Sequence, residues 1–309
     1  MTPPAGLFTG MIPMLVTPFR EDGSLDRDSM ASLVEFMAKL GVRAVALLGV
    51  MGEADHLDEE ERARVLSSAV EASAGRLAVI VGTSHRDQAA AERLSRKAAS
   101  SGAHAILSAP AGDGREPEVR DFYRRLAGEV GLPLCVHDYP AATGVQLPVE
   151  TLLRVVEEVP AVAAIKVEAV PSPEKISALA RGMKGRKASL LGGLGGIYSL
   201  FELEQGAGGF MTGFSFPEVL NRLLGLKKSG EGEKAFDLYR RFLPLMVYEY
   251  QGGIAVRKTL TRLRGLIACD RTRAPAARLD PDAEDRLRHL AQRTLGKPIS
   301  GNATLMDEP

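Results

Sequence analysis

Short runs of apolar, β-branched and alanine residues recur along the first two thirds of this chain, each followed by an amphipathic stretch. No other feature restricts the possible folds so sharply. The runs are Met11–Val16, Ala44–Leu48, Ala78–Val81, Ala103–Ser108, Pro133–Val136, Val162–Lys166, Ala188–Leu191 and Gly209–Thr212. Several are continuous in apolar residues rather than alternating, as expected of strands buried on both faces of a parallel sheet. Between them Arg27–Leu40, Glu59–Ala74, Asp87–Ser101 and Glu118–Val130 are each long enough for a crossover helix. The alternation admits an open doubly wound sheet or a closed barrel. About eight evenly spaced strands favour the barrel, an α/β fold of the (β/α)8 TIM type.

After Thr212 the pattern changes. Pro217–Lys228, Glu231–Tyr250, Ile254–Leu266 and Asp280–Leu295 follow one another as helices with no strand between them. The expected organisation is therefore a barrel over residues 1–228, an appended C-terminal helical region over 229–300, and a polar, frayed tail over 301–309.

Charge and cysteine usage narrow the function. Lys plus Arg equals Asp plus Glu at 39 each, so there is no basic field for nucleic acid or an anionic membrane surface, and the expected partner is a small molecule. Cys135 and Cys269 belong to no metal-ligand or redox spacing, and no metal is expected. Met1 to Gly10 lacks a charged start followed by an apolar stretch, and no run approaches a membrane span, which reads as cytoplasmic. The glycine run Gly192–Gly196 lacks dinucleotide spacing, and zinc-protease, P-loop and hydrolase motifs are missing, so no cofactor is expected.

In a barrel of this type chemistry gathers where strands end, at the C-terminal face. Lys166 follows Ala161-Val162-Ala163-Ala164-Ile165. Partial desolvation there favours a neutral, nucleophilic amine; the alternatives are a lysine that emerges into solvent or pairs with Glu168. His137 ends the preceding strand and would move protons at neutral pH, or else serve as an ordinary hydrogen-bonding residue. Val50, Met51, Gly52 and Glu53 follow the second strand, where Gly49 and Gly52 permit close backbone approach to a carboxylate or simply make a tight turn. His85, His56, Gly193 and Met211 are further mouth-lining candidates.

Taken together these segments resemble the dihydrodipicolinate synthase and N-acetylneuraminate lyase family. The resemblance runs from Gly10 to about Leu224 through Ile12–Phe19, Asp22–Asp26, Gly49–Glu53, Leu57–Arg62, Pro140–Gly144 and Ile165-Lys166. It implies a barrel with C-terminal helices, often tetrameric, in which Lys166 forms an imine with pyruvate or another 2-keto acid and no other cofactor is needed. Departures redirect the substrate. Val50 and Met51 stand where the synthases carry two threonines, His137 where they carry a catalytic tyrosine, Ala142 in place of an arginine, and Pro110-Ala111-Gly112 in place of Pro-Tyr-Tyr. Val81–His85, Met211–Gly213, Phe216-Pro217, Leu243–Leu245 and Leu266–Arg271 instead resemble the 2-keto-3-deoxy-L-arabonate dehydratase branch.

The expected reaction is dehydration of a 2-keto-3-deoxy sugar acid through a Lys166 imine and enamine. The Val50-Met51 backbone would hold the carboxylate and His137 would carry protons. A pyruvate-releasing aldolase, or a synthase-type condensation, would use the same enamine. A non-catalytic barrel that binds keto acids is the rival of another class.

Overall fold

The computed structural model describes residues 6–183, 185, 188–273 and 278–299; the tail over 301–309 lies outside them. Eight parallel strands, β1 (Gly10–Pro13), β2 (Ala44–Leu47), β3 (Ala78–Gly82), β4 (Ala105–Ser108), β5 (Leu134–Asp138), β6 (Val162–Val167), β7 (Ser189–Gly192) and β8 (Gly209–Thr212), pair in the order β1-β8-β7-β6-β5-β4-β3-β2. Proline at 13 has no N–H for the ladder. Beyond it the chain changes partner: Met14 donates to the Thr212 carbonyl at 2.8 Å and Leu15 to the Ala46 carbonyl at 2.8 Å. The Met14–Ala46 bridge closes the sheet into a barrel.

The helices are α1 (Arg27–Lys39), α2 (Glu59–Ser73), α3 (Gln88–Ser100), α4 (Glu116–Val130), α5 (Pro140–Thr143), α6 (Val149–Glu158), α7 (Ser172–Gly182), α8 (Ser199–Glu204), α9 (Pro217–Lys228), α10 (Gly232–Leu263) and α11 (Pro281–Leu295). Local chemistry sets their starts. Asp26, Asp58, Asp87 and Asp280 each accept backbone N–H groups of a first turn, and Asp58 with Glu61 forms a reciprocal capping box. On α4 the buried residues Val119, Phe122, Tyr123 and Leu126 recur at the spacing that presents one apolar face to the strands.

Two apolar layers result. The outer one fills the space between strands and helices. The inner one, including Ile12, Ala46, Ile80, Ala105, Leu107, Cys135, Ala164, Leu191 and Met211, fills the barrel itself, so the interior is a packed core and not a pore. The strand period of two fixes the rest: Ala164 faces the interior while Ile165 and Val167 join the outer layer, which turns Lys166 inward.

β3 and β7 each run one residue further than the sequence suggests, to Gly82 and Gly192, and two more extensions bear on the site. β5 continues through His137 and Asp138 and β6 through Val167, with His137 opposite Lys166 and Glu168 N donating to the Asp138 carbonyl at 2.8 Å. α10 spans both C-terminal stretches that the sequence separates, broken at Gly253 (φ 66°, ψ −148°), a backbone state reserved for glycine. Beyond the break, Arg257, Lys258 and Arg264 form buried ion pairs with Glu249 (2.7 Å), Glu53 (2.5 Å) and Glu218 (2.7 Å). Lys258 thereby ties the helical region to the turn after β2 and Arg264 ties it to α9, while the Arg257–Glu249 pair bridges the break within α10.

Candidate active site

Three side chains meet at the C-terminal end of β5 and β6. Lys166 Nζ lies 2.5 Å from Glu168 Oε2 and 3.2 Å from His137 Nε2, and His137 Nε2 lies 2.7 Å from Glu168 Oε2. All three are buried. Register explains the meeting. His137 and Lys166 are direct partners across the ladder, and Glu168, two residues on, returns to the same face. Of the alternatives open for Lys166, the pairing with Glu168 is present, and it occurs inside the barrel rather than in solvent.

The electrostatics are mutual. Burial would raise the Glu168 carboxyl, but the Lys166 charge, His137 and the Leu194 N–H (2.8 Å to Oε1) together hold it well below the usual carboxylate range. Burial, reinforced by the Lys166 charge, lowers the His137 imidazole against the opposing pull of Glu168. His137 is then neutral near pH 7, and its tautomer decides whether Nε2 donates to Glu168 or accepts from Lys166. Tyr139 stacks on the imidazole at 5.4 Å between ring centroids. Burial raises the neighbouring Asp138 carboxyl, which faces Lys175 Nζ at 2.8 Å.

The glycine run has a packing role. A Cβ at Gly193 would collide with the Glu168 carboxyl, and one at Gly192 with the carboxyl of Glu202 on α8. Two glycines therefore admit two buried carboxyls beside β7. Leu194 and Gly195 follow with N–H groups donated to Glu168 and to Thr212 Oγ1 (2.9 Å).

The structure brings Lys166, His137 and Gly193 together. Val50, Met51 and Gly52 form the turn after β2, at the same end of the barrel. Val50 is 52% exposed, and the Gly52 carbonyl accepts from Thr17 Oγ1 at 2.6 Å. Met211 lies deeper, within the inner apolar layer. Glu53 points away from the cluster into its ion pair with Lys258 and also accepts from Arg273 N at 2.5 Å. His85 sits exposed before α3, accepting from Asp87 N at 2.9 Å, and His56 lines an outer cleft with Asp22, Gly23 and Arg273. Glu168 is the group that sequence reasoning undervalued; its i+2 spacing from Lys166 on a strand was the available signal. Among the described residues no group of three or more His, Cys, Asp or Glu side chains is placed to hold a metal, and no helix is long and apolar enough to cross a membrane.

Comparisons with known proteins agree with this fold. A sequence model of the Dihydrodipicolinate synthetase family matches residues 7–294. The chain is 32% identical over 290 residues to the L-2-keto-3-deoxyarabonate dehydratase of Azospirillum brasilense, covering 92% of this chain and 94% of that one. A dihydrodipicolinate synthase structure from Rhodopseudomonas palustris superposes with a TM-score of 0.86 at 33% identity, covering 93% of this chain and 98% of that one. A prophage protein of the dihydrodipicolinic acid synthase family from E. coli K12, solved in complex with pyruvate, superposes with a TM-score of 0.85 at 26% identity, covering 94% and 99%.

Proposed function

This chain belongs to the Dihydrodipicolinate synthetase family and is a Schiff-base lyase, and from that premise we propose that Lys166 forms the imine and that the reaction is dehydration of a 2-keto-3-deoxy sugar acid. The observation that carries the proposal is the buried contact of Lys166 Nζ with Glu168 at 2.5 Å and His137 at 3.2 Å. A nucleophilic amine needs a proton acceptor within hydrogen-bond reach, and here two lie within that reach.

Lys166 attacks the C2 ketone, and water leaves to give an imine that withdraws electrons from C3. Glu168, ionised because its carboxyl is held low, takes a C3 proton. His137, 2.7 Å from Glu168, receives that proton and delivers it to the C4 hydroxyl, which leaves as water as the enamine collapses, so that Glu168 is again ionised and His137 again neutral. Hydrolysis returns the amine and releases the keto acid less one water. The Val50-Met51 turn would hold the substrate carboxylate through its backbone, beside Gly52. Glu53, His85 and Met211 take no part in these steps.

The dehydratase reading is supported by the relative from Azospirillum brasilense. The loss of the synthase hydroxyls at Val50, Met51 and His137, and of the arginine at Ala142, supports it further. The partner is a small 2-keto acid, and a cytoplasmic homotetramer is the assembly the family resemblance suggests. Mass analysis of the products from 2-keto-3-deoxy-L-arabonate tests the reaction. A five-carbon acid lighter by one water is expected. Pyruvate plus a two-carbon hydroxyaldehyde would instead make the enzyme an aldolase.

A further inference from the structure

Arg257 is a buried cation whose pairing is incomplete. Its Nε donates to Glu249 at 2.7 Å, while Nη1, equally buried, has no hydrogen-bond partner among the described residues. Leaving a guanidinium N–H dry and unpaired is costly, so such a group in a native fold calls for a partner. Glu249 is itself satisfied, because it also accepts from Ser215 N at 3.0 Å. The pair is therefore anchored on one side and open on the other.

The open side lies against the C-terminal end of β8. A Cβ at Gly213, the residue after β8, would run into Nη1 and come within 3.2 Å of the Met14 carbonyl at the end of β1. Burial, Glu168 and Tyr250 raise the Tyr139 hydroxyl while the Arg257 charge opposes them, and Tyr139 is the residue stacked against His137. Tyr250, on the same helix before the Gly253 break, packs at Gly195 above β7. The break in α10 thus brings one helix to the mouth twice. Arg257 is 3% exposed, close to the 5% of Lys166, so the two groups are covered to a similar degree.

We propose that Arg257 recognises the carboxylate of the 2-keto acid, its free Nη1 supplying the charge that the hydroxyl-less Val50-Met51 turn lacks. The inference rests on the keto-acid lyase reading above. A guanidinium matches a carboxylate in both charge and donor geometry.

The test compares borohydride trapping at Lys166 by pyruvate and by methyl pyruvate, its neutral ester, in the wild type, in Arg257→Lys, and in the double variant Arg257→Gln with Glu249→Gln. The double variant avoids stranding a buried carboxylate. The wild type is expected to prefer the anion, the double variant to lose roughly tenfold or more of that preference with ester trapping little changed, and Arg257→Lys to restore part of it. An unchanged ratio, or an equal loss for both ketones, would overturn the assignment of Arg257 while leaving the lyase reading intact. A folded wild type trapped by neither ketone would overturn both.

Discussion

The protein holds two buried lysine–glutamate pairs of the same length in different surroundings. Lys166 and Glu168 meet at 2.5 Å on one strand, and Lys258 and Glu53 meet at 2.5 Å between a helix and the turn after β2. Lys258 is saturated: it also donates to the Arg271 carbonyl at 2.7 Å and lies over the Phe19 ring at 4.2 Å. Burial pushes its amine down to about 8 even with Glu53 opposing. Beside Lys166 lie an imidazole and a glycine strip. A low-polarity site and a paired amine are thus common to both, and the difference lies in what else surrounds the amine. One arrangement ties a helix to the barrel, and the other sets an imidazole and a carboxylate beside the amine.

Exchanging residues between these regions should separate activity from stability. Lys166→Ala is expected to abolish turnover and adduct formation in a folded protein, followed by product assay and circular dichroism. Lys258→Met leaves Glu53 buried without its partner and should cost about 3–5 kcal/mol in denaturant unfolding, with the remaining folded protein still labelled at Lys166. If instead Lys258→Met abolished labelling at full stability, the contrast would fail.

Glu168→Gln keeps the shape of the carboxyl and removes the base. It should lower kcat by roughly 10²–10⁴-fold with a smaller change in KM, as measured by steady-state kinetics. Gly193→Ala displaces Glu168 without changing its chemistry, and a loss of up to about 10²-fold in kcat is expected. A variant at Gly193 as active as wild type would mean that the carboxyl position is not critical.

The smallest effect concerns a carboxyl outside both pairs. Burial raises Glu202 to about 8, with Ser172 Oγ donating to it at 2.6 Å. The folded chain then keeps a proton that the unfolded chain has lost, so this stabilisation is complete below the ordinary carboxyl range and fades as pH rises through about 8. Unfolding measured from pH 5 to 9 should show wild-type stability falling with pH by at most about 1.4 kcal/mol per unit from this group, a slope that Glu202→Gln removes.

The barrel was legible because its strands are buried on both faces, and that leaves continuous apolar runs such as Ala78–Val81. Lys166 and His137 were legible for the same reason, as polar residues at the ends of apolar runs. Glu168 and Arg257 were less so. The role of Glu168 depends on where β6 stops, and that of Arg257 on a helix break at Gly253 that folds distant sequence back over the mouth. Glu53 marks the same limit, because a glutamate after a glycine turn looks the same in sequence whether it faces a ligand or a lysine 205 positions away in the chain.

Of the two buried lysines, Lys166 and not Lys258 is proposed as the imine-forming amine. Incubating the protein with pyruvate, reducing with borohydride and locating the added mass by peptide mass spectrometry tests it directly. A single adduct is expected on the peptide carrying Lys166, whereas a folded protein with no adduct, or with the adduct on Lys258, would overturn that assignment.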